Sequence, residues 1–312
     1  MANEKIVVLM STYNVCGGGA EDFLHRQLAS ILGQRDVEIS LYIRDDGSKD
    51  NTIEIINEYS DKYKNITIIQ DGANLGACRS FLKLMATEID AEFFSLADQD
   101  DIWDEDKLSV AIDKLKTLPQ DKPALYYSNQ RVVDEDNNFI RISHAEPQVA
   151  INKYGFLADP LAAGCTCVYN RKLAEIAWRT KPETYSMHDT WIYNAAAMFG
   201  NVVYDFEPHM NYRQHNANVI GTPKKQFSLD GIKKQLHYYL DWKSQPRYKC
   251  ALLMEKQWKG LMNPEQKHMV GMITGYKKSI VKRIQLFNCK DMYPATRYRK
   301  IRWKLMILLG NI

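Results

Sequence analysis

No stretch of this 312-residue chain keeps apolar residues for anything near the ~18 positions that suggest a transmembrane helix. No signal peptide is legible either. Ile6–Met10 is too short for the apolar region of one, and no small-residue cleavage site follows it. The expected location is therefore the cytoplasm. Cysteine is sparse: Cys16, Cys78, Cys165, Cys167, Cys250 and Cys289 are scattered, with one close pair. Cys165-Thr166-Cys167 alternates within a strand-like run, which suits two opposite faces better than a zinc site, so free thiols are expected. Internal repeats are missing. Gly17-Gly18-Gly19 has no Gly-Lys-Ser/Thr after it and is not a Walker phosphate loop. Acidic residues run short in one place only. Residues 222–312 hold 20 Lys and Arg against 5 Asp and Glu, a net of +15, whereas residues 1–221 hold 21 against 33, a net of −12. A division of that size suggests that the tail meets a polyanion.

What is present is an alternation of strands and helices. Ile6–Met10, Ile39–Ile43, Ile66–Ile69 and Phe93–Leu96 read as strands. Between them Ala20–Leu32 (apolar at Phe23, Leu24, Leu28 and Ile31), Thr52–Tyr63 with Asp50 as N-cap, and Ala77–Ala86 read as helices. That spacing predicts a parallel sheet with right-handed crossovers. Lys107–Leu118 predicts another helix. Beyond it, Ala124–Ser128 and Phe139–Ile142 predict strands around a polar Asp134–Asn138 turn. Cys165–Tyr169 and Val202–Phe206 read as further strands, and Asp189–Phe199 as a helix closed by Gly200. After Gly221 the chain is helical and basic.

The most informative stretch is Phe93-Phe94-Ser95-Leu96-Ala97-Asp98-Gln99-Asp100-Asp101-Ile102-Trp103. A buried strand stops in three carboxylates, at the end where open α/β sheets bind ligands. Acids crowded this closely repel one another and commonly await a cation. The structural alternative is an acidic turn with Asp104 as N-cap of the next helix and Asp106 in its first turn. Three other motifs fall at strand ends: Ser11-Thr12-Tyr13-Asn14, Asp45-Asp46-Gly47-Ser48, and Asn74-Leu75-Gly76 with Arg79. In this order, with His188-Asp189-Thr190-Trp191 and Tyr212-Arg213-Gln214-His215, they resemble the family 2 glycosyltransferases of the GT-A fold. The likeness covers residues 5–221. "ADQDDIW" with a later "YRQH" is most similar to bacterial rhamnosyltransferases of surface-polysaccharide synthesis.

The resemblance implies an α/β fold: a GT-A mixed sheet flanked by helices over residues 1–221, with a basic helical extension over 222–312. It also implies an inverting transfer from a nucleotide-sugar donor, dTDP- or UDP-linked, to a saccharide acceptor, commonly polyprenyl-pyrophosphate-linked, with L-rhamnose the first choice of sugar. Thr12, Tyr13, Asn14, Asp45, Asp46, Arg79, Asp98, Gln99 and Arg213 would then serve the donor. Tyr13 would stack on or beside the base, Asp45 would accept a pyrimidine imide N–H, and Arg79 and Arg213 would meet phosphate. Asp100 and His215 would hold a divalent ion, Mn or Mg. Asp189 would be the general base, with helix N-cap as its competing role. Gly164, His188 and Trp191 would shape the acceptor pocket. Two other functions remain open at this point: a sugar-phosphate nucleotidyltransferase, which would want a Gly-rich basic N-terminal loop that Ser11–Asn14 does not supply, and a non-catalytic glycan-binding scaffold.

The tail interleaves aromatics with its charges: Tyr238, Tyr239, Trp242, Tyr248, Trp258, Tyr276, Tyr293, Tyr298 and Trp303. Arg297, Arg299, Lys300, Arg302 and Lys304 precede Leu305–Leu309. This suits an interfacial helix on anionic lipid, at the inner face of the cell membrane, or else a self-association element or a helical pair packed on the catalytic domain. No nucleic-acid-binding motif is recognisable, and nucleic acid is not an expected partner.

Overall fold

Apolar strands flanked by one-sided helices have a single way to bury both: a sheet with helices laid on its faces. The computed structural model describes residues 3–16, 21–147, 149–150, 152–179, 187–215 and 245–312. The loop Gly17–Gly19 and the tail residues Tyr238, Tyr239 and Trp242 lie outside the described residues. Two units divide the chain. The first takes Met1–Gln148, Ala162–Glu183 and Met187–Asn218; the second takes Val149–Leu161, Thr184–Ser186 and Val219–Ile312. The basic tail thus shares its unit with a short segment drawn from the middle of the chain, which a single cut after residue 221 does not capture.

In the first unit, β1 (Glu4–Thr12), α1 (Glu21–Leu32), β2 (Val37–Asp45), α2 (Thr52–Lys62), β3 (Ile66–Ile69), α3 (Ala77–Met85) and β4 (Phe93–Ala97) follow one another. Then come β5 (Ile102–Trp103), α4 (Lys107–Lys116), β6 (Ala124–Val133) and β7 (Phe139–Ile142). In the second unit lies α5 (Gly155–Ala158). The first unit closes with β8 (Val168–Asn170), α6 (Arg171–Trp178), α7 (His188–Phe199) and β9 (Asn201–Arg213). The strands form one mixed sheet in the order β3-β2-β1-β4-β8-β6-β9-β5, with β7 paired to β6. β3, β2, β1 and β4 are mutually parallel, as the alternation predicts; β8 joins antiparallel between β4 and β6. β1 is buried from Ile6 to Thr12, and Leu24, Leu28 and Ile31 of α1 are fully enclosed in the same core. Each such side chain contributes roughly 1.5–3 kcal/mol by leaving water.

Several elements differ from the sequence pattern. β6 and β9 run to 10 and 13 residues, well past their apolar stretches, because they pair with each other along nearly their whole length. Gly164–Thr166 is a short 3-10 turn rather than strand, so Cys165 and Cys167 are both buried instead of facing opposite sides. At α2 the cap position is Asn51, yet the carboxylate that satisfies the end is Asp50, which accepts Thr52 N–H at 3.1 Å and Cys16 N–H at 2.8 Å. At α4 the cap position is Asp106, not Asp104; Asp104 pairs with Arg131 instead. None of the six cysteines forms a disulfide.

The second unit is helical. α8 (Pro246–Gln257) and α9 (Pro264–Gly275) pack together, with Thr274 donating to Glu255 at 2.7 Å. Asn263 and Gln266 close a reciprocal capping box around Pro264. α10 (Ile280–Asn288) starts at Ser279 and α11 (Arg297–Leu309) at Thr296, each hydroxyl accepting a backbone N–H of the first turn. Gly310 ends α11 at φ +73, the left-handed conformation that glycine adopts without strain.

Candidate active site

Parallel register places the motifs side by side. Thr12 pairs with Asp45 across β1 and β2, and Met10 with Ala97 across β1 and β4, so the tails of three strands leave the sheet at one edge. The end of β9 arrives at the same place. Arg213 N–H donates to Asp101 Oδ1 at 3.2 Å, Arg213 Nε donates to the Asp100 carbonyl at 2.9 Å, and His215 Nε2 lies 2.6 Å from Asp100 Oδ2. Sequence order separates these groups by more than a hundred residues; the sheet brings them within hydrogen-bonding distance.

On the β1 side, Tyr13 keeps its ring exposed while its backbone is pinned by Gln99. The Gln99 amide accepts Tyr13 N–H at 2.7 Å and donates to Tyr13 C=O at 3.3 Å. Asn14 sits at φ +45, and its side chain accepts Lys49 N–H at 2.7 Å. Asp45 faces its own turn: it accepts Gly47 N–H, Ser48 N–H, the Ser48 hydroxyl and the Thr12 hydroxyl at 2.5–3.2 Å. A carboxylate offers about four lone-pair sites, so none is left over for a base imide. Asp46 is enclosed too. It accepts Leu75 N–H and Gly76 N–H at 2.8 Å and pairs with Arg44.

Arg44 is the organising residue that the sequence pattern does not disclose. Fully buried at the end of β2, it donates to Asp46, Ser80, Asp71 and the Ala73 carbonyl. Its five N–H groups fix the Asn74-Leu75-Gly76 turn against α3. Lys83 and Arg44 together hold the Asp71 carboxyl below the usual range. Arg79, two residues into α3, is exposed.

The carboxylates beyond β4 are crowded. Burial, Asp100 and Asp189 push Asp98 up to about 7. Burial, Asp100 and Asp98 raise Asp101 well above the carboxylate range. Asp101 Oδ2 is buried with no hydrogen-bond partner, and ligand-type atoms of Asp98, Asp101 and Cys165 lie within 4.8 Å of one another. Beneath them Lys107 is buried with its ammonium 3.5 Å from the centre of the Trp103 ring; burial lowers it to about 8, and Asp101 and the cysteines oppose that shift. Asp101 stands in the acid motif with no separate role of its own, and Lys107 looks ordinary in sequence as the first residue of a helix.

Asp189 lies at the start of α7, close enough to Asp98 to raise that carboxyl. It is not the N-cap: Met187 takes that position, and Asp189 Oδ1 accepts Thr190 N–H at 2.5 Å. His188 is buried and stacked on Phe81 at 4.2 Å between centroids, and burial lowers its pKa. Gly164 touches this pair, since a Cβ there would stand 2.7 Å from His188 Nε2. Its close approach is to the imidazole. Trp191 is fully enclosed and forms core rather than an exposed pocket wall. Arg213 is likewise fully enclosed, its guanidinium 4.3 Å from the Phe23 ring centre and donating to the Glu135 carbonyl. It braces the carboxylate loop in this conformation instead of pointing at a ligand.

Comparison with known proteins agrees with this architecture. The profile of glycosyl transferase family 2 matches residues 7–176. The dTDP-rhamnosyl transferase RfbG of Shigella flexneri is 33% identical over 224 residues, covering 68% of this chain and 73% of its own. The UDP-Glc:alpha-D-GlcNAc-diphosphoundecaprenol beta-1,3-glucosyltransferase WfgD of Escherichia coli is 29% identical over 176 residues, 55% of this chain and 63% of its own. Among solved structures, S. aureus TarS 1–349 in complex with UDP-GlcNAc superposes with a TM-score of 0.58 at 15% identity, covering 96% of this chain and 78% of that one. The last is a likeness of fold, and it identifies the mixed sheet with flanking helices as GT-A.

Proposed function

Because the chain belongs to glycosyl transferase family 2, we propose that it moves L-rhamnose from a dTDP- or UDP-linked donor onto a growing cell-surface polysaccharide, inverting the anomeric centre. One observation carries the reading: Tyr13, the Asp98–Asp100 acids and the Asp189-bearing start of α7 meet at one edge of the sheet. The identity to a dTDP-rhamnosyl transferase supports the choice of donor. The relative named for a diphosphoundecaprenol substrate supports a polyprenyl-pyrophosphate-linked acceptor, which would hold the enzyme peripherally at the inner face of the cell membrane.

In this mechanism the Asp189 carboxylate takes the proton of the acceptor hydroxyl as that oxygen bonds to the anomeric carbon. The bond from that carbon to the donor phosphate oxygen breaks, and its electron pair leaves on the nucleoside diphosphate. No enzyme nucleophile takes part. The exposed ring of Tyr13 stacks on the base, held in place by Gln99. Arg79, exposed at the start of α3, reaches the phosphates, where the helix N-terminus adds positive potential. Asp45 and Asp46 keep the donor-side turns in shape. Asp100 and His215 offer an oxygen and an imidazole nitrogen side by side, next to an acid cluster with an unpartnered oxygen, a donor set that fits Mn or Mg. Such an ion would offset charge on the departing diphosphate.

The test is a transfer assay with product NMR. A β-linked dTDP-L-rhamnose should give an α-rhamnoside and release the nucleoside diphosphate; retained configuration sinks the single displacement. Asp189→Asn should lower turnover by ~10²–10⁴ with donor affinity little changed. Asparagine keeps an oxygen for Thr190 N–H, so near-normal turnover would return Asp189 to a structural role.

A further inference from the structure

The last two helices of the second unit carry a row of exposed apolar side chains. On α11, Trp303, Met306 and Ile307 are buried, whereas Tyr298, Ile301, Leu305, Leu308 and Leu309 are 43–61% exposed. Positions 298, 301, 305 and 308 recur at alternating steps of three and four, so they form one stripe along the helix. On α10, Ile280, Val281 and Ile284 are exposed as well. These eight make up more than half of the large apolar side chains exposed among the described residues. Single exposed apolar residues need no explanation, but an ordered stripe does.

The charge around the stripe says what covers it. Neither helix has a carboxylate, while α10 carries Lys282 and Arg283, and α11 carries Arg297, Arg299, Lys300, Arg302 and Lys304. At 3.6 residues per turn Arg302 borders the stripe on one side, and Arg297 and Lys304 border it on the other. Arg302 also lines, with Arg247 and Arg299, a cavity in which Asp159 is the one acidic residue. Arg299 is paired with that carboxylate at 2.8 Å.

We infer that this face binds an anionic phospholipid surface, with α11 lying in the plane and its stripe at headgroup depth. A second copy of the chain does not fit, because a symmetric contact through this face would set lysine and arginine against lysine and arginine. Nucleic acid would use the charges and leave the aliphatic stripe in water. Thirteen residues span only ~20 Å, short of the ~30 Å hydrocarbon core, so the helix rests on the bilayer. Among the described residues no helix is long and apolar enough to cross one. The inference goes beyond the transfer reaction and stands whatever the donor is.

Truncation is the wrong test, since removing Arg297–Ile312 would strip Trp303, Met306, Ile307 and Ile312 from the core of the unit. The experiment is flotation of the full chain with vesicles of phosphatidylcholine, with and without phosphatidylglycerol. Wild type should float with the anionic vesicles at low salt and stay behind with the neutral ones. The double variant Ile301→Ser with Leu308→Ser should bind about tenfold more weakly or worse. Arg302→Gln with Lys304→Gln should do the same, with unchanged circular dichroism in both. Wild type that ignores anionic vesicles overturns the inference, as does flotation of both variants to the same extent as wild type. A concentration-dependent dimer that Ile301→Ser with Leu308→Ser abolishes, without vesicle binding by wild type, assigns the face to a second copy.

Discussion

Asp45, Asp46 and Arg213 are the polar groups that the motifs point to first, and each is directed inward. Asp45 fills its lone pairs with a turn and a neighbouring hydroxyl, Asp46 with two N–H groups and a guanidinium, and Arg213 with carbonyls. Residue type and strand-end position were legible in the sequence; the direction of a side chain was not, because it is set by partners such as Arg44 that sit in unremarkable positions. Lys107 belongs with these inward groups, and its burial has a consequence in pH. The folded protein holds it at about 8 against an ordinary 10.5. Between those values the unfolded chain binds more protons than the folded one, so stability from this residue rises with pH across the window and is lost as pH falls through about 8. Lys107→Met should remove that slope. Urea unfolding of both proteins from pH about 8 to pH about 10 should therefore show the wild type gaining on the variant. A difference that stays flat would mean that the ammonium is not confined as its position under Trp103 indicates.

Elements follow local pattern where packing is one-sided and depart from it where pairing decides. β3 and β7 have the bounds that their apolar runs give. β6 and β9 extend through polar residues, Asn129 and Gln130 among them, because each strand supplies the other's hydrogen bonds and no apolar period marks that. Gly200 shows a boundary read at the right place for a different reason. Its φ is −155, so a left-handed cap is not what calls for glycine. What excludes a side chain is space, since a Cβ would stand 1.8 Å from the Pro123 carbonyl oxygen. Gly200→Ala should force apart the end of α7 and the entry to β6 and cost about 1–3 kcal/mol or more in urea unfolding. Gly260→Ala, where a Cβ meets nothing within 4 Å, is the control and should change stability little. Equal midpoints for the two variants would show that the Pro123 contact relaxes freely.

At the scale of the molecule, the convergence of strand ends on one edge was legible because parallel crossovers leave few alternatives. The grouping of Val149–Leu161 with the tail was not, since it rests on contacts between distant segments, such as Asn152 donating to the Tyr293 carbonyl at 2.7 Å. The charge division survives every correction: −12 over residues 1–221 and +15 over 222–312. A basic segment acts on an anionic surface through a field that salt shortens, from ~10 Å at 0.1 M to ~3 Å at 1 M. If the tail brings the enzyme to its acceptor, transfer to a polyprenyl-linked saccharide in anionic vesicles should fall several-fold across that range, because each basic residue loses most of its ~1 kcal/mol of attraction. Transfer to a water-soluble analogue of the same saccharide removes the bilayer from the reaction and keeps the donor and the chemistry. Its rate should vary far less over the same salt series. The ratio of the two rates isolates the surface term, since any effect of salt on nucleotide binding or on the carboxylate cluster enters both. A ratio that stays constant from low to high salt would detach the charge of the tail from catalysis and leave the aliphatic stripe of α11 as its one remaining claim on a membrane.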